Sequence, residues 1–384
     1  MTSICYFDYA AATPLDERVF GVMKPYLSER FFNPSSPYAP AVAVRRDYQA
    51  AKQAIGRIIG AQAGELIMTA GATESINLAI GSFRGHRICS SIEHDSVRRA
   101  VEAGPHTIVP VQPNGRVDIA ALKAAITPQT ELISVALANH ELGTIQPVRQ
   151  VAELVQAVRQ ARAQQGNSTP LVLHCDGSQG LGLLDIHVAR LGVDLLSLNA
   201  AKVYGPKQVG LLWVRPGLVL QPHTYGGGQE QGLRSGTENV AGVIGFAEAM
   251  RLADKKRKPE STRLAQLRDG MQRQLVEALP GLVCAGSHKH RLANFLHIAV
   301  PGVDAERLVF MLETKGVLVA TGSACAANKG TGSAVLEGIG MPAEQANGSL
   351  RLTLGRPTTQ AACDQAVAAI IDAVRTERAR QEQA

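Results

Sequence analysis

The chain has 384 residues, 45% of them hydrophobic and only 4% aromatic, with 37 glycines and 19 prolines; that balance excludes collagen-like and disordered classes and leaves room for more than one core, so two domains are expected. Its formal net charge of +6 comes from lysines and arginines spread along the chain without interleaved aromatics, which argues against direct nucleic-acid binding. No apolar run approaches the roughly 18 residues that a bilayer span needs.

The N-terminal stretch "MTSICYFDYAAATP" lacks the basic start and long apolar middle of a signal peptide, so a cytoplasmic protein with no membrane association is expected. After it, apolar runs of strand length alternate with stretches of helical period. This alternation predicts an α/β unit on a mostly parallel seven-stranded sheet. Its strands are read at 65–71, 86–92, 106–112, 130–139, 170–176, 194–200 and 209–215, with helices between them such as "ATESINLAIGSF", "DIAALKAAI" and "VRQVAELVQAVRQARAQQG". Gly166 ends the last of these as a C-terminal stop.

The basic run "KKRK" at 255–258, beside Pro259, reads as a solvated helix end and a connection. Domain limits follow: residues 1–14 as a segment joining the smaller domain, 15–258 as the large domain and 259–384 as a smaller α+β domain. In that last part "LANFLHIAV", "VLVAT" and "SLRLTLG" read as strands. The tail "RTERARQEQA" is charged on all faces and is expected to fray into solvent.

Ligands of parallel α/β sheets collect at the carboxyl ends of the strands, and here those ends are polar. "TAGATES" turns a strand into a helix at Gly71, Ala72 and Thr73, where backbone N–H groups and the helix dipole suit a phosphate, although Thr73 or Ser75 could equally serve as a plain helix cap. His94 in "SIEHDS" has no second ligand at zinc spacing, which leaves a surface histidine or a ring stacked on a cofactor, and no metal site is predicted. Asp176 ends the apolar strand "PLVLHCD", as a turn cap or as the anion that holds a protonated ring nitrogen; Gln179 follows within reach of a ring hydroxyl. Lys202 ends "DLLSLNAAK" among small residues, where an amine becomes useful once desolvated or captured as a Schiff base. Together these strand ends describe binding of pyridoxal phosphate.

Two further residues stand out near the C-terminus. Cys325 in "VLVATGSACAANKGTGS" lies among small residues near Lys329, unlike Cys5, Cys175 and Cys284, which sit in apolar runs as structural thiols. The six cysteines have no paired spacing and fit reduced thiols. Arg356 in "SLRLTLGRP" is a candidate grip for a carboxylate, with Arg351 on the strand as its rival and a surface salt bridge as the alternative.

Nearly end to end the chain resembles the cysteine desulfurases of the class V aminotransferase group, which are fold type I pyridoxal phosphate enzymes. The resemblance rests on an ordered series: "YFDYAAATP", "FFNPSSPY", "GATES", "NHELGTIQP", "HCDGSQ", "YGPKQVGLLWV" and "GGGQEQGLRSGTENV". It implies Lys202 as the Schiff-base lysine, Asp176 at the pyridine nitrogen, Gln179 near the ring hydroxyl and His94 stacked on the ring. It further implies Ala72 and Thr73 at the phosphate, Asn199 beside them, Thr237 reaching the phosphate from the other subunit of a homodimer, and Asn139 and Arg356 on the substrate carboxylate. Cys325 would take sulfur from L-cysteine, and the "GSAC" form resembles the long-loop subgroup, which hands sulfur to iron–sulfur scaffold or RNA-thiolation proteins. L-Alanine would be the other product. Transamination or another elimination on the same scaffold, and a non-catalytic sulfur-relay subunit, are the competing readings.

The chain departs from the family pattern in two places. Asn199 and Ala201 stand where a serine and a histidine are common in the four positions ending at the lysine, and Tyr38 stands where histidine is common after the Asn-Pro loop. An alanine cannot donate to a phosphate. Ala201→His is therefore expected to lose cofactor about tenfold more slowly on dialysis than the parent protein, the worth of one hydrogen bond to a charged group; equal retention, read by absorbance, would mean that the donor is already replaced.

Overall fold

The computed structural model describes residues 4–322 and 333–382. Strand β1 (Cys5–Tyr6) precedes seven strands of one sheet: β2 (Leu66–Thr69), β3 (His86–Ser90), β4 (His106–Val109), β5 (Thr130–Ser134), β6 (Val172–Asp176), β7 (Leu195–Asn199) and β8 (Gly210–Val214). Their order across the sheet is β2-β8-β7-β6-β5-β3-β4. Strands β3 to β7 pair in parallel, whereas β8 runs antiparallel to both neighbours. All seven expected strands are thus present in a mostly parallel sheet.

Alternation along each strand divides the apolar residues between the two faces. Leu132, Val172, Leu195 and Leu212 pack on one side with Ile76 and Ile80 of the helix Ala72–Gly81. Their neighbours Ile133, Leu173, Leu196 and Leu211 face the other side, against Tyr48 and Ile55 of the helix Ala39–Ile59 and Phe246 of the helix Val240–Ala278. Burial on both faces is why these strands read as continuous apolar runs.

A second core follows, built on β9 (Val283–Cys284), β10 (Phe295–Ala299), β11 (Val317–Leu318), β12 (Ala320–Thr321) and β13 (Ser349–Thr353). Four of these strands form an antiparallel sheet in the order β12-β13-β10-β9, while β1 pairs in parallel with β11. Leu308 and Leu312 from the helix Ala305–Thr314 and Ile370 and Val374 from the helix Gln360–Glu382 fill this core.

Two expectations are corrected. The run Lys255–Lys258 is no helix end, because the helix Val240–Ala278 continues through it with Pro259 inside. That helix buries Phe246 and Met250 in the first core and Leu264 and Met271 in the second, and packing at both ends outweighs the backbone bond that proline removes. The tail also does not fray over the described residues: the final helix runs to Glu382, and the buried carboxylate of Glu377 accepts from Arg307 and Arg380 at 3.1 and 2.7 Å.

Candidate functional site

Four strand ends, those of β3, β5, β6 and β7, and the turn after β2 converge on a cavity of about 390 Å3, in the size range of small-molecule sites. From β2 the chain turns at Gly71, whose φ of 149° only glycine adopts readily, into the helix that begins at Ala72. Gly71 is the N-cap and offers no side chain, so neither Thr73 nor Ser75 caps the helix; the Ser75 hydroxyl instead bonds Thr69 at 2.7 Å. Ala72 and Thr73 line the cavity, and the first-turn N–H groups and the dipole point where an anion would sit. From β3 comes His94, N-cap of the helix Asp95–Glu102, whose Nδ1 accepts from the Ser96 N–H at 3.1 Å. The ring is thereby oriented, and it meets His140 edge to face at 5.0 Å between centroids.

Asp176, Gln179, Asn199 and Lys202 complete this wall. One Asp176 oxygen accepts from the Ser178 N–H at 3.0 Å, and Asn199 caps the turn before the lysine by accepting from the Ala201 N–H. Lys202 donates through Nζ to the carbonyls of both Ala10 and Ala11, at 2.7 Å each. Gln179 donates to the same Ala10 carbonyl at 3.1 Å. Tyr204, two residues after the lysine, holds a left-handed φ of 63°, and its N–H donates to the Thr13 hydroxyl.

The two arginines separate. Arg351 lies on β13 and lines the cavity; its guanidinium donates to Asp8 at 2.7 Å and to the His140 carbonyl at 3.0 Å, and its buried Nε has no partner among the described residues. Arg356 lies past the strand on a smaller cavity of about 50 Å3, which shares Gln179 and Lys202 with the larger one, and is stacked over the Tyr204 ring at 4.2 Å. Asn139 does not line the larger cavity either. Its amide donates to the Ile92 carbonyl, and its oxygen accepts from Glu141 and Leu142, which makes it a brace of the loop. Thr237 is exposed, at the end of the loop that follows β8. Cys325 lies outside the described residues.

The cavity's donor set fits pyridoxal phosphate on observations of this chain alone. It offers an anion at Asp176, a cation at Lys202, an uncapped helix start, and the Ser178 hydroxyl, which is buried without a partner among the described residues. The described cysteines are unsuited to nucleophilic work, since burial raises the thiols of Cys5, Cys89, Cys175, Cys284 and Cys363, the last to about 11. Among the described residues no group of three metal-ligating side chains assembles.

Five contributors escape sequence reasoning. Asp8 and the Ala10 and Ala11 carbonyls act through long-range contacts that no local pattern encodes. His140 is kept neutral, because burial and the nearby His94 push its pKa well below the ordinary value. Glu93, beside His94 in sequence, is a buried carboxyl raised to about 7 by burial despite bonds from the Ser90 hydroxyl and the Ala136 N–H, with the charge of Asp176 adding to the rise. An acidic residue directly after an apolar strand is the available signal for it.

A family model, Aminotransferase class-V, matches residues 5–365. The chain is 38% identical over 367 residues to the cysteine desulfurase IscS of Dictyoglomus turgidum, covering 92% of this chain and 90% of that relative. It is 37% identical to cysteine desulfurase IscS 1 of Archaeoglobus fulgidus, with 92% of each chain covered. Among solved structures it is similar to a NifS-like protein, with a TM-score of 0.88, 28% identity and coverage of 98% and 100%, and to SspA in complex with cysteine, with a TM-score of 0.78, 30% identity and coverage of 91% and 98%.

The raised carboxyl of Glu93 has a measurable consequence in the cofactor-free protein. Below the ordinary value of 4.5 both folded and unfolded states keep the proton; between 4.5 and about 7 only the folded state does, so stability falls as pH rises and then levels off. Glu93→Gln should remove up to about 3 kcal/mol of that decline between pH 4.5 and 7.5. Urea midpoints across this range test it, and parallel pH profiles for parent and variant would show that Glu93 does not titrate there.

Proposed function

The chain belongs to the aminotransferase class-V family, and from that premise we propose that it is a pyridoxal phosphate-dependent cysteine desulfurase, converting L-cysteine to L-alanine and passing the sulfur to Cys325. The single observation that carries this reading is the convergence of Lys202, Asp176, His94 and the uncapped helix start at Ala72 on one cavity, in a chain similar to named cysteine desulfurases. Lys202 would hold the cofactor covalently, Ala72 and Thr73 its phosphate, Asp176 the ring nitrogen, Gln179 and Ser178 the polar edge, and His94 the ring face. When bound, pyridoxal phosphate supplies an electron sink for the bond electrons released at the α-carbon of the amino acid.

The protein's own groups account for the rest. Lys202 moves the α-proton at Nζ, and the Ala10 and Ala11 carbonyls hold the ammonium that results. Arg351, rather than Arg356, grips the substrate carboxylate: it borders the cavity that Lys202 shares with Asp176 and His94 and is already oriented by Asp8, whereas Arg356 borders only the smaller cavity beside Lys202 and is committed to Tyr204. The Cys325 thiolate attacks the substrate sulfur; an S–S bond forms, the Cβ–S bond breaks with its electron pair staying on the carbon side, where Cβ takes up a proton to become the methyl group of L-alanine, and a persulfide remains on the enzyme. Raised thiols at the five described cysteines support this assignment by elimination. Thr237 would serve a partner copy in a homodimer, and iron–sulfur scaffold or thiolation proteins would accept the sulfur through a long-loop cysteine.

Two experiments separate the parts. Lys202→Ala should lose the visible band of the bound cofactor, while Cys325→Ala should keep the band and lose alanine formation; a Cys325→Ala protein that desulfurates as fast as the parent would remove the nucleophile assignment. Arg351→Gln should raise the KM for cysteine by about 30-fold or more, the scale of losing a charge-assisted pair, and Arg356→Gln by less than about threefold. The reverse ranking in steady-state kinetics would return the carboxylate to Arg356.

A further inference from the structure

We propose that Arg234 is a positioning residue for the phosphate cradle of its own chain, acting through Glu74. The inference rests on the cofactor reading above. Glu74 is the third residue of the helix Ala72–Gly81, and its Oε2 accepts from the N–H of Ala70, reaching back over the turn that aims the first helical N–H groups. The strap has a cost: it holds a full negative charge in the same first helical turn whose N–H groups would receive a phosphate dianion. Arg234 answers that charge, donating from Nε to the other oxygen of Glu74 at 3.0 Å. Arg234 does not itself line the cavity, so its action passes through the carboxylate.

Arg234 is in turn held by an anchored loop. Glu230 and Gln231 adopt left-handed φ of 47° and 62°, a conformation that persists only when the surroundings over-determine it. The Glu230 side chain, 5% exposed, accepts from the Tyr48 hydroxyl at 2.5 Å, Lys52 Nζ at 2.9 Å and the Met68 N–H at 2.7 Å. Met68 belongs to β2, the strand that leads into the cradle. Loop and cradle are therefore joined twice, through Glu230 to the strand and through Arg234 to the helix.

The Arg234–Glu74 pair is 27% and 30% exposed, so its direct worth to the fold is small. Its effect belongs to the anion at the helix start, where a carboxylate without its cation repels a dianion across a partly screened distance. This separates a positioning role from a structural one, because pyridoxal carries the same ring and aldehyde as pyridoxal phosphate but no phosphate.

The test titrates cofactor-free protein with each compound, read by absorbance. Arg234→Met should raise the Kd for pyridoxal phosphate roughly 3- to 30-fold while changing that for pyridoxal less than about twofold. Glu74→Gln combined with Arg234→Met should recover most of the loss, since the carboxylate is gone and an amide oxygen still accepts from Ala70. Equal weakening for both compounds, no weakening for either, or no recovery in the double variant would overturn the proposal. A parent protein that binds neither compound would instead overturn the cofactor reading.

Discussion

The bonds from Lys202 to the carbonyls of Ala10 and Ala11 are the constraint on which the rest of the structure turns. An ammonium lining a cavity needs acceptors, and two of those that Lys202 uses come from outside the sheet that delivers it. They come from a short strap that belongs to neither sheet's interior. β1 ties the strap to β11, the Ala10 N–H donates to the Thr353 hydroxyl, and Thr13 bonds the Ala201 carbonyl through both its N–H and its hydroxyl. Through the strap, the placement of the second core and that of the lysine become one condition.

The same strap explains why one arginine faces the cavity and another, five residues on, does not. Arg351 sits on β13 opposite His297, and Asp8 draws its guanidinium to the site. Arg356 lies beyond the strand, where the alternation of faces has ended, and its backbone N–H and its side chain are both taken up by Tyr204. Charge placement elsewhere follows the same logic. The carboxylates of Glu230 and Glu377, nearly inaccessible, each meet two or more donors, whereas Glu93 meets donors too weak to offset its burial.

Much of the sheet is legible in the residues themselves, because strands buried on both faces must be apolar throughout and must break at polar ends. For that reason Asp176 and Lys202 stand out: a charge that closes an apolar run has to be explained. Less legible are elements decided by contacts at both ends. Pro259 and its basic neighbours look like a helix end locally, yet the helix continues since each half has a core of its own to bury. Asn139 meets a related limit, in that a motif identifies the residue but not which of its hydrogen bonds the loop already uses.

By itself the sequence determined the α/β class, the strands, and the chemistry gathered at their ends, since periodicity and charge are local properties that survive without a fold. Only the tertiary structure decided which of two arginines reaches the cavity, what receives the lysine's protons, and which glutamates stand behind the histidine and the cradle. These are matters of distance between residues far apart in the chain: Asp8 and Arg351 are 343 positions apart, and Lys202 and Ala10 are 192. No periodicity carries such pairings, because they exist only once both cores have closed around the strap.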